Sequence, residues 1–185
     1  MIDFINNIDA DILLFIQNYI RTPFLNTVMK VITSLGNAGI LWIVLAVLFL
    51  CMKKYRKTGA MMGLALLFGL VITNMILKNA VARIRPYEVI EGLNCIIKHP
   101  SDWSFPSGHS TSSIAASVVM LKTMPKKIGI PALILGIIIS LSRLYVGVHY
   151  PSDVVCGILI GLVCALVSVY LVNKRIEAYK IKHKK

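Results

Sequence analysis

Apolar residues run along this chain in long blocks that short polar clusters interrupt. Four blocks, Ser34 to Met52, Gly59 to Leu77, Ile128 to Tyr145 and Val154 to Val172, come close to the roughly 20 residues that carry a helix across a ~30 Å hydrocarbon layer. A fifth, His109 to about Met124, carries Ser110, Thr111, Ser112, Ser113 and Ser117. Small polar side chains let helices approach closely and bond across the contact, so this block suits a bundle interior. It counts as a span because its neighbours cannot otherwise be oriented consistently. Before Ser34 the pattern changes: Asp3, Asp9, Asp11, Arg21 and Lys30 break the apolar run, and Thr22-Pro23 has the cap and first-turn order of a helix start. Leu25, Val28, Met29 and Ile32 then keep one face apolar, which predicts two short amphipathic helices at the interface. A sixth span over Ile12 to Leu35 is the competing assignment.

The expected fold is therefore all-α: an integral membrane bundle of about five transmembrane helices, preceded by N-terminal amphipathic helices. Three regions follow: residues 1–33 at the interface, 34–173 as the catalytic bundle and 174–185 as a basic tail. The N-terminus lacks a basic leader and a small-residue cleavage site, so no cleavable signal peptide is expected. Composition agrees, since 57% of the 185 residues are hydrophobic and 15% charged. That balance excludes a disordered chain and leaves too little polar surface for a soluble body of this size.

The net charge of +12 would suggest a polyanionic partner until the charges are sorted by segment. One set holds Lys53, Lys54, Arg56, Lys57, Lys122, Lys126, Lys127, Lys174, Arg175, Lys180, Lys182, Lys184 and Lys185 against Glu177 alone. The other holds Arg21, Lys30, Lys78, Arg83, Arg85, Lys98 and Arg143 with all seven remaining acids. The positive-inside rule makes the first set cytoplasmic, with the C-terminus, and the balanced set extracytoplasmic. The basic tail is then a topology signal that touches anionic lipid, and nucleic acid is not an expected partner. Cys51, Cys95, Cys156 and Cys164 form neither a C-x-x-C nor a metal spacing and read as packing residues.

Three polar clusters fall on the expected outer side: Lys78 to Pro86, Pro106-Ser107-Gly108-His109, and Ser142-Arg143 followed by His149 and Asp153. Charged groups at span ends are costly unless they serve a purpose. Lys78 and Arg85 are two helical turns apart and share a face if their helix continues to Pro86. Arg83 fits a membrane anchor as well as a ligand. Arg143 follows an uncharged run, and its guanidinium can fork onto two phosphate oxygens. Ser107 offers a helix cap, Gly108 a close backbone approach and the first turn free N–H groups for an anion. Pro151 opens the last helix, so Asp153 lies in its first turn, able to hold the non-reacting ring nitrogen of His149.

The set points to phosphoryl transfer. Lys78, Arg85 and Arg143 would neutralise the equatorial oxygens, with Ser107 and the Gly108 and His109 amides adding donors. His149 would attack phosphorus and His109 would protonate the departing oxygen, help of a kind worth ~10²- to 10⁴-fold. The cations supply the charge, so no metal or cofactor is expected. Glu88, Glu91 and Asp102 are too scattered in the loop to suggest one.

These clusters resemble the tripartite signature of the type 2 phosphatidic acid phosphatase superfamily, which includes membrane lipid phosphatases, glucose 6-phosphatase and soluble vanadium haloperoxidases. Lys78, Arg85 and Pro86 match its first motif. Residues 106 to 109 match the second, and Ser142, Arg143, His149 and Asp153 the third. The resemblance covers roughly residues 22 to 173. It implies nucleophilic His149 supported by Asp153, acid His109, and phosphate held by Lys78, Arg85, Ser107, Gly108 and Arg143 without metal. Many membrane members have six spans, and the broken N-terminal region departs from that. Gly157 and Gly161 are expected only to help close helix packing. The favoured substrate is polyprenyl (undecaprenyl) diphosphate, with phosphatidylglycerophosphate or phosphatidic acid as alternatives. A non-catalytic anion-binding or transport protein would use the same cations, and a vanadate-dependent oxidative role is a further alternative.

Overall fold

A computed structural model describes residues 2–182. Lys184, Lys185 and the side chain of Asp3, sorted by charge above, lie outside what is described. Among the described residues the chain is helix and connection, with no strand.

Helix α1, Ile2–Phe15, continues as a π-helical turn over Ile16–Ile20. The backbone is then extended at Arg21 and Thr22, so no single helix runs from Ile12 to Leu35. Thr22 accepts from the Leu25 amide at 3.3 Å and Pro23 takes the first helical position of α2, Pro23–Leu35. The apolar block expected from Ser34 divides here. Ala38 and Gly39 adopt positive φ (50° and 66°), which breaks the helix and bends α2 by 42° from α3, Ile40–Cys51. Helix α4, Arg56–Gly69, is followed by a π-helical stretch Leu70–Leu77 and by α5, Lys78–Val81. After α6, Pro86–Val89, a loop leads to α7, Gly108–Thr123, then α8, Lys126–Tyr145, and α9, Pro151–Lys182. The basic residues after Val172 continue α9 as far as Lys182.

Three of these helical stretches are long and apolar enough to cross a membrane: Arg56–Val89, Lys126–Tyr145 and Pro151–Lys182, or up to four if the bent α2–α3 pair is one span. The serine-rich α7 is their centre, with Ile114 to Met120 all buried. Its small side chains admit close neighbours, and glycines on those neighbours complete the fit. A Cβ on Gly136 of α8 would stand 2.7 Å from Ser117 Oγ, and one on Gly161 of α9 would stand 2.6 Å from the Thr111 carbonyl. Trp42 of α3, wholly buried, donates its indole N–H to Ser113 Oγ at 2.9 Å. Large apolar residues such as Val44, Leu48, Val155, Leu159 and Val163 face outward, the reverse of a soluble protein.

The helices alternate in direction, so the α2–α3 break, the end of α5, the start of α7 and the α8–α9 connection all meet at one end of the bundle. Helix α1 docks there as well, where Leu13 packs with Tyr150 and Leu93.

Candidate active site

At that end lies a cavity of about 900 Å³. Lys78, Arg85, Gly108, His109, Arg143 and His149 line its polar part, while Val47, Leu50, Leu66, Leu67 and Leu70 of α3 and the α4 stretch form an apolar wall. Of the residues singled out from sequence, Ser107 and Asp153 do not reach the cavity and stand behind it, both fully buried.

The route by which Lys78 and Arg85 meet differs from the expected one. The helix does not continue to Pro86: Ala82 turns into the left-handed region (φ 47°) and ends α5. The two cations converge on a third residue instead, Asp102. Lys78 Nζ pairs with one carboxylate oxygen, and Arg85 Nη2 donates to the other at 2.6 Å. Asp102, set aside above as one of several scattered acids, is thus the counter-ion of the first cluster. Burial alone would raise its carboxyl, but the bonds and charges of Lys78 and Arg85 outweigh that and hold it at about 2.

Arg85 is fixed by its Nη1 donating to the Val148 carbonyl at 2.7 Å, which leaves Nη1 3.5 Å from His149 Nε2. The imidazole sits in the short connection between α8 and α9, 2% exposed, with Nδ1 3.4 Å from Asp153 Oδ2. Burial, opposed by the Asp153 carboxylate and reinforced by Arg143 and Arg85, pushes His149 down to about 3. The ring is therefore neutral at physiological pH, the state a nucleophilic nitrogen requires. Asp153, in the first turn of α9, accepts from Ser104 Oγ at 2.5 Å, the Tyr150 amide at 3.0 Å and Arg83 Nη1 at 2.7 Å. Arg83 is no lipid anchor here: it binds Asp153 on one side and Asp9 on the other.

Ser107 caps α7, accepting from the Ser110 amide at 3.3 Å, and its own amide donates to the Asp153 carbonyl at 3.1 Å. The cap thereby ties the start of α7 to the first turn of α9. Gly108 follows against Asn74, whose side-chain oxygen would stand 3.2 Å from any Cβ there. His109 Nε2 lies 3.1 Å from Asn37 Oδ1, an oxygen that accepts a hydrogen bond whenever that nitrogen is protonated. Arg143, 3% exposed, donates from Nη1 to Thr33 Oγ1 at 2.6 Å, while its buried Nε has no hydrogen-bond partner among the described residues. Arg143 lines the cavity, and a buried guanidinium so placed, with no carboxylate bonded to it, is suited to an anion.

Asp102, Ser104, Asn37 and Thr33 are the residues sequence reasoning missed, and Arg83 is one it left between an anchor and a ligand. Their contacts with the site join segments 17 to 110 positions apart, with no repeat or spacing to announce them. The proximity of Arg83 to the first cluster was the only available signal.

Known proteins resemble this chain in sequence and in fold. The PAP2 superfamily model matches residues 58–177. An undecaprenyl-diphosphatase from Sulfolobus acidocaldarius is 32% identical over 166 residues, covering 89% of this chain and 80% of the relative. Phosphatidylglycerophosphatase B of Bacillus subtilis is 34% identical over 154 residues, covering 77% and 73%. Among solved structures, Aquifex aeolicus LpxE superposes with a TM-score of 0.75 at 25% identity, over 86% of this chain and 93% of that one.

Proposed function

The chain belongs to the PAP2 superfamily, and we propose that it is an integral membrane phosphatase that hydrolyses lipid phosphate or diphosphate monoesters through a phosphohistidine. The observation that carries this is the cavity itself: the neutral His149 imidazole beside Arg85, the Arg143 guanidinium and a second imidazole all line a space whose other wall is apolar. The headgroup lies among the cations and the lipid tail along α3 and α4.

The phosphoryl group displaces Asp102 from Lys78 and Arg85, and its remaining oxygens take the Arg143 donor and the amides of Gly108 and His109. His149 Nε2 attacks the terminal phosphorus as its bond to the leaving oxygen breaks, that oxygen departing with the lipid alcohol of a monophosphate or with the lipid monophosphate of a diphosphate. His109, as the imidazolium beside the bound phosphoryl anion, passes its Nε2 proton to the departing oxygen and is left neutral. Asp153 holds the charged phosphoimidazole through Nδ1. Water then attacks phosphorus, His109 takes up its proton, the P–N bond breaks and phosphate leaves. Charge is balanced by arginine and lysine throughout, and no metal takes part.

Polyprenyl diphosphate is the favoured substrate. Its support is the undecaprenyl-diphosphatase from S. acidocaldarius, which aligns with 89% of this chain, together with the long apolar wall. The relative named phosphatidylglycerophosphatase B favours a second reading, hydrolysis of phosphatidylglycerophosphate. A substrate panel with EDTA present distinguishes the two by kcat/KM on polyprenyl diphosphate, phosphatidylglycerophosphate and phosphatidic acid. His149→Ala and His109→Ala each abolish phosphate release from the preferred lipid, whereas undiminished turnover in either variant would refute the mechanism. The site faces the extracytoplasmic side with the C-terminus in the cytoplasm, as supported by the distribution of basic residues.

A further inference from the structure

Asp153 is wholly buried, and a carboxylate so placed must have both its charge and its lone pairs met within the protein. Part of the answer comes from outside the region that the three motifs cover. Arg83 Nη1 donates to Asp153 Oδ1 and to Ser152 Oγ, both at 2.7 Å, while Nη2 donates to Asp9 Oδ2 at 2.9 Å and Asn6 Oδ1 at 3.0 Å. The guanidinium lies 3.7 Å from the centre of the Tyr150 ring. Asp9, on α1 and 2% exposed, closes the network by accepting from the Ser152 amide at 3.0 Å and from the Ser152 hydroxyl at 2.5 Å. Helix α1 thus grips the first turn of α9 from the far side, one residue from Asp153.

We propose that Asp9 is a positioning residue for the phosphatase reaction, acting through Arg83 and Ser152 on Asp153. The geometry supplies one reason, since Asp9 fixes both the fork of Arg83 and the backbone beside Asp153. The charges supply another. Asp9, Arg83 and Asp153 together carry one net negative charge, so the guanidinium is shared between two carboxylates. The surplus is available to the His149 ring, which gains positive charge as it takes up phosphorus. Were Asp9 neutral, Arg83 would belong to Asp153 alone and cancel the charge that faces His149.

The inference rests on His149 as nucleophile, and the test separates the two. In the full-length protein, Asp9→Asn lowers kcat by about 10- to 100-fold, the scale expected when a reacting group loses its alignment, and leaves KM within about threefold. Asp9→Glu, which keeps the charge, recovers most of the loss. Asn6→Ala, which removes a neutral partner of the same Arg83 arm, stays within about twofold of wild type. Ser152→Ala lowers kcat in the same direction by a smaller factor and carries the test alone if Asp9→Asn does not accumulate. The proposal is overturned by a kcat for Asp9→Asn within twofold of wild type, by a loss confined to KM, by Asp9→Glu no better than Asp9→Asn, or by an unchanged Ser152→Ala. Undiminished turnover in His149→Ala would instead overturn the underlying mechanism.

Discussion

The contact between α7 and α9 can be probed by one methyl group. A Cβ on Gly157 would stand 2.6 Å from the Ser107 carbonyl oxygen and 3.0 Å from Ser110 Cβ, where ordinary contact begins near 3.4 Å. The gap must open by about 0.8 Å, and the atom in the way is backbone that cannot swing aside. Ser107 O is the acceptor of the first turn of α7, bonded to the Thr111 amide at 3.0 Å, and the Ser107 amide bonds the Asp153 carbonyl. Gly157→Ala therefore pushes the start of α7, with Gly108 and His109, away from His149 and Asp153. Overpacking of this kind costs about 1–3 kcal/mol, a fall of several °C in the detergent-solubilised protein. Misplacement approaching 1 Å at reacting groups costs on the order of 100-fold, so kcat/KM drops by about 10- to 100-fold. Gly63→Ala is the matched control, because nothing lies within 4 Å of a Cβ there. It should raise stability by about 0.5–1 kcal/mol through the ordinary helical preference for alanine. Thermal unfolding followed by tryptophan fluorescence, with phosphate release in parallel, measures both. A Gly157→Ala protein matching wild type in Tm and kcat/KM, or a Gly63→Ala protein losing as much stability, would refute the argument.

Two further outcomes are expected. The Asp102 carboxyl is held at about 2 against an ordinary 3.8, so its bridge contributes stability above pH 4 that is lost as the pH falls through 2. Since the side chain is 54% exposed, the contribution is under about 1 kcal/mol, and Asp102→Asn should remove that acid-limb dependence while slightly lowering stability at neutral pH. Coincident acid-unfolding curves would contradict this. Cys95, partly buried and donating to the Ile97 carbonyl at 3.2 Å, should react with an impermeant thiol reagent in intact cells, and protection until lysis would reverse the proposed orientation.

What could be read from the sequence, and what could not, divides along the range of the interactions. The cap at Thr22, the helix start at Ser107 and the placement of Asp153 one turn into α9 depend on neighbours within four residues, and the chain spells them out. The break at Ala82 is also local, but it depends on a left-handed backbone that alanine gives no reason to expect. The groups that balance the site are different again. A buried cation must meet a counter-charge or an acceptor, yet any segment that passes nearby can supply it. Here the loop before Pro106 supplies Asp102, α2 supplies Thr33 and α1 supplies Asp9, with no pattern among them. The pairing nevertheless carries chemical information once seen. Lys78 and Arg85 share the half-exposed Asp102, and Arg83 shares two buried carboxylates. Arg143, more deeply buried than Lys78, has only a threonine hydroxyl and meets no carboxylate among the described residues. An anion entering the cavity would supply the missing partner, which is the place the proposed mechanism gives to the phosphoryl group.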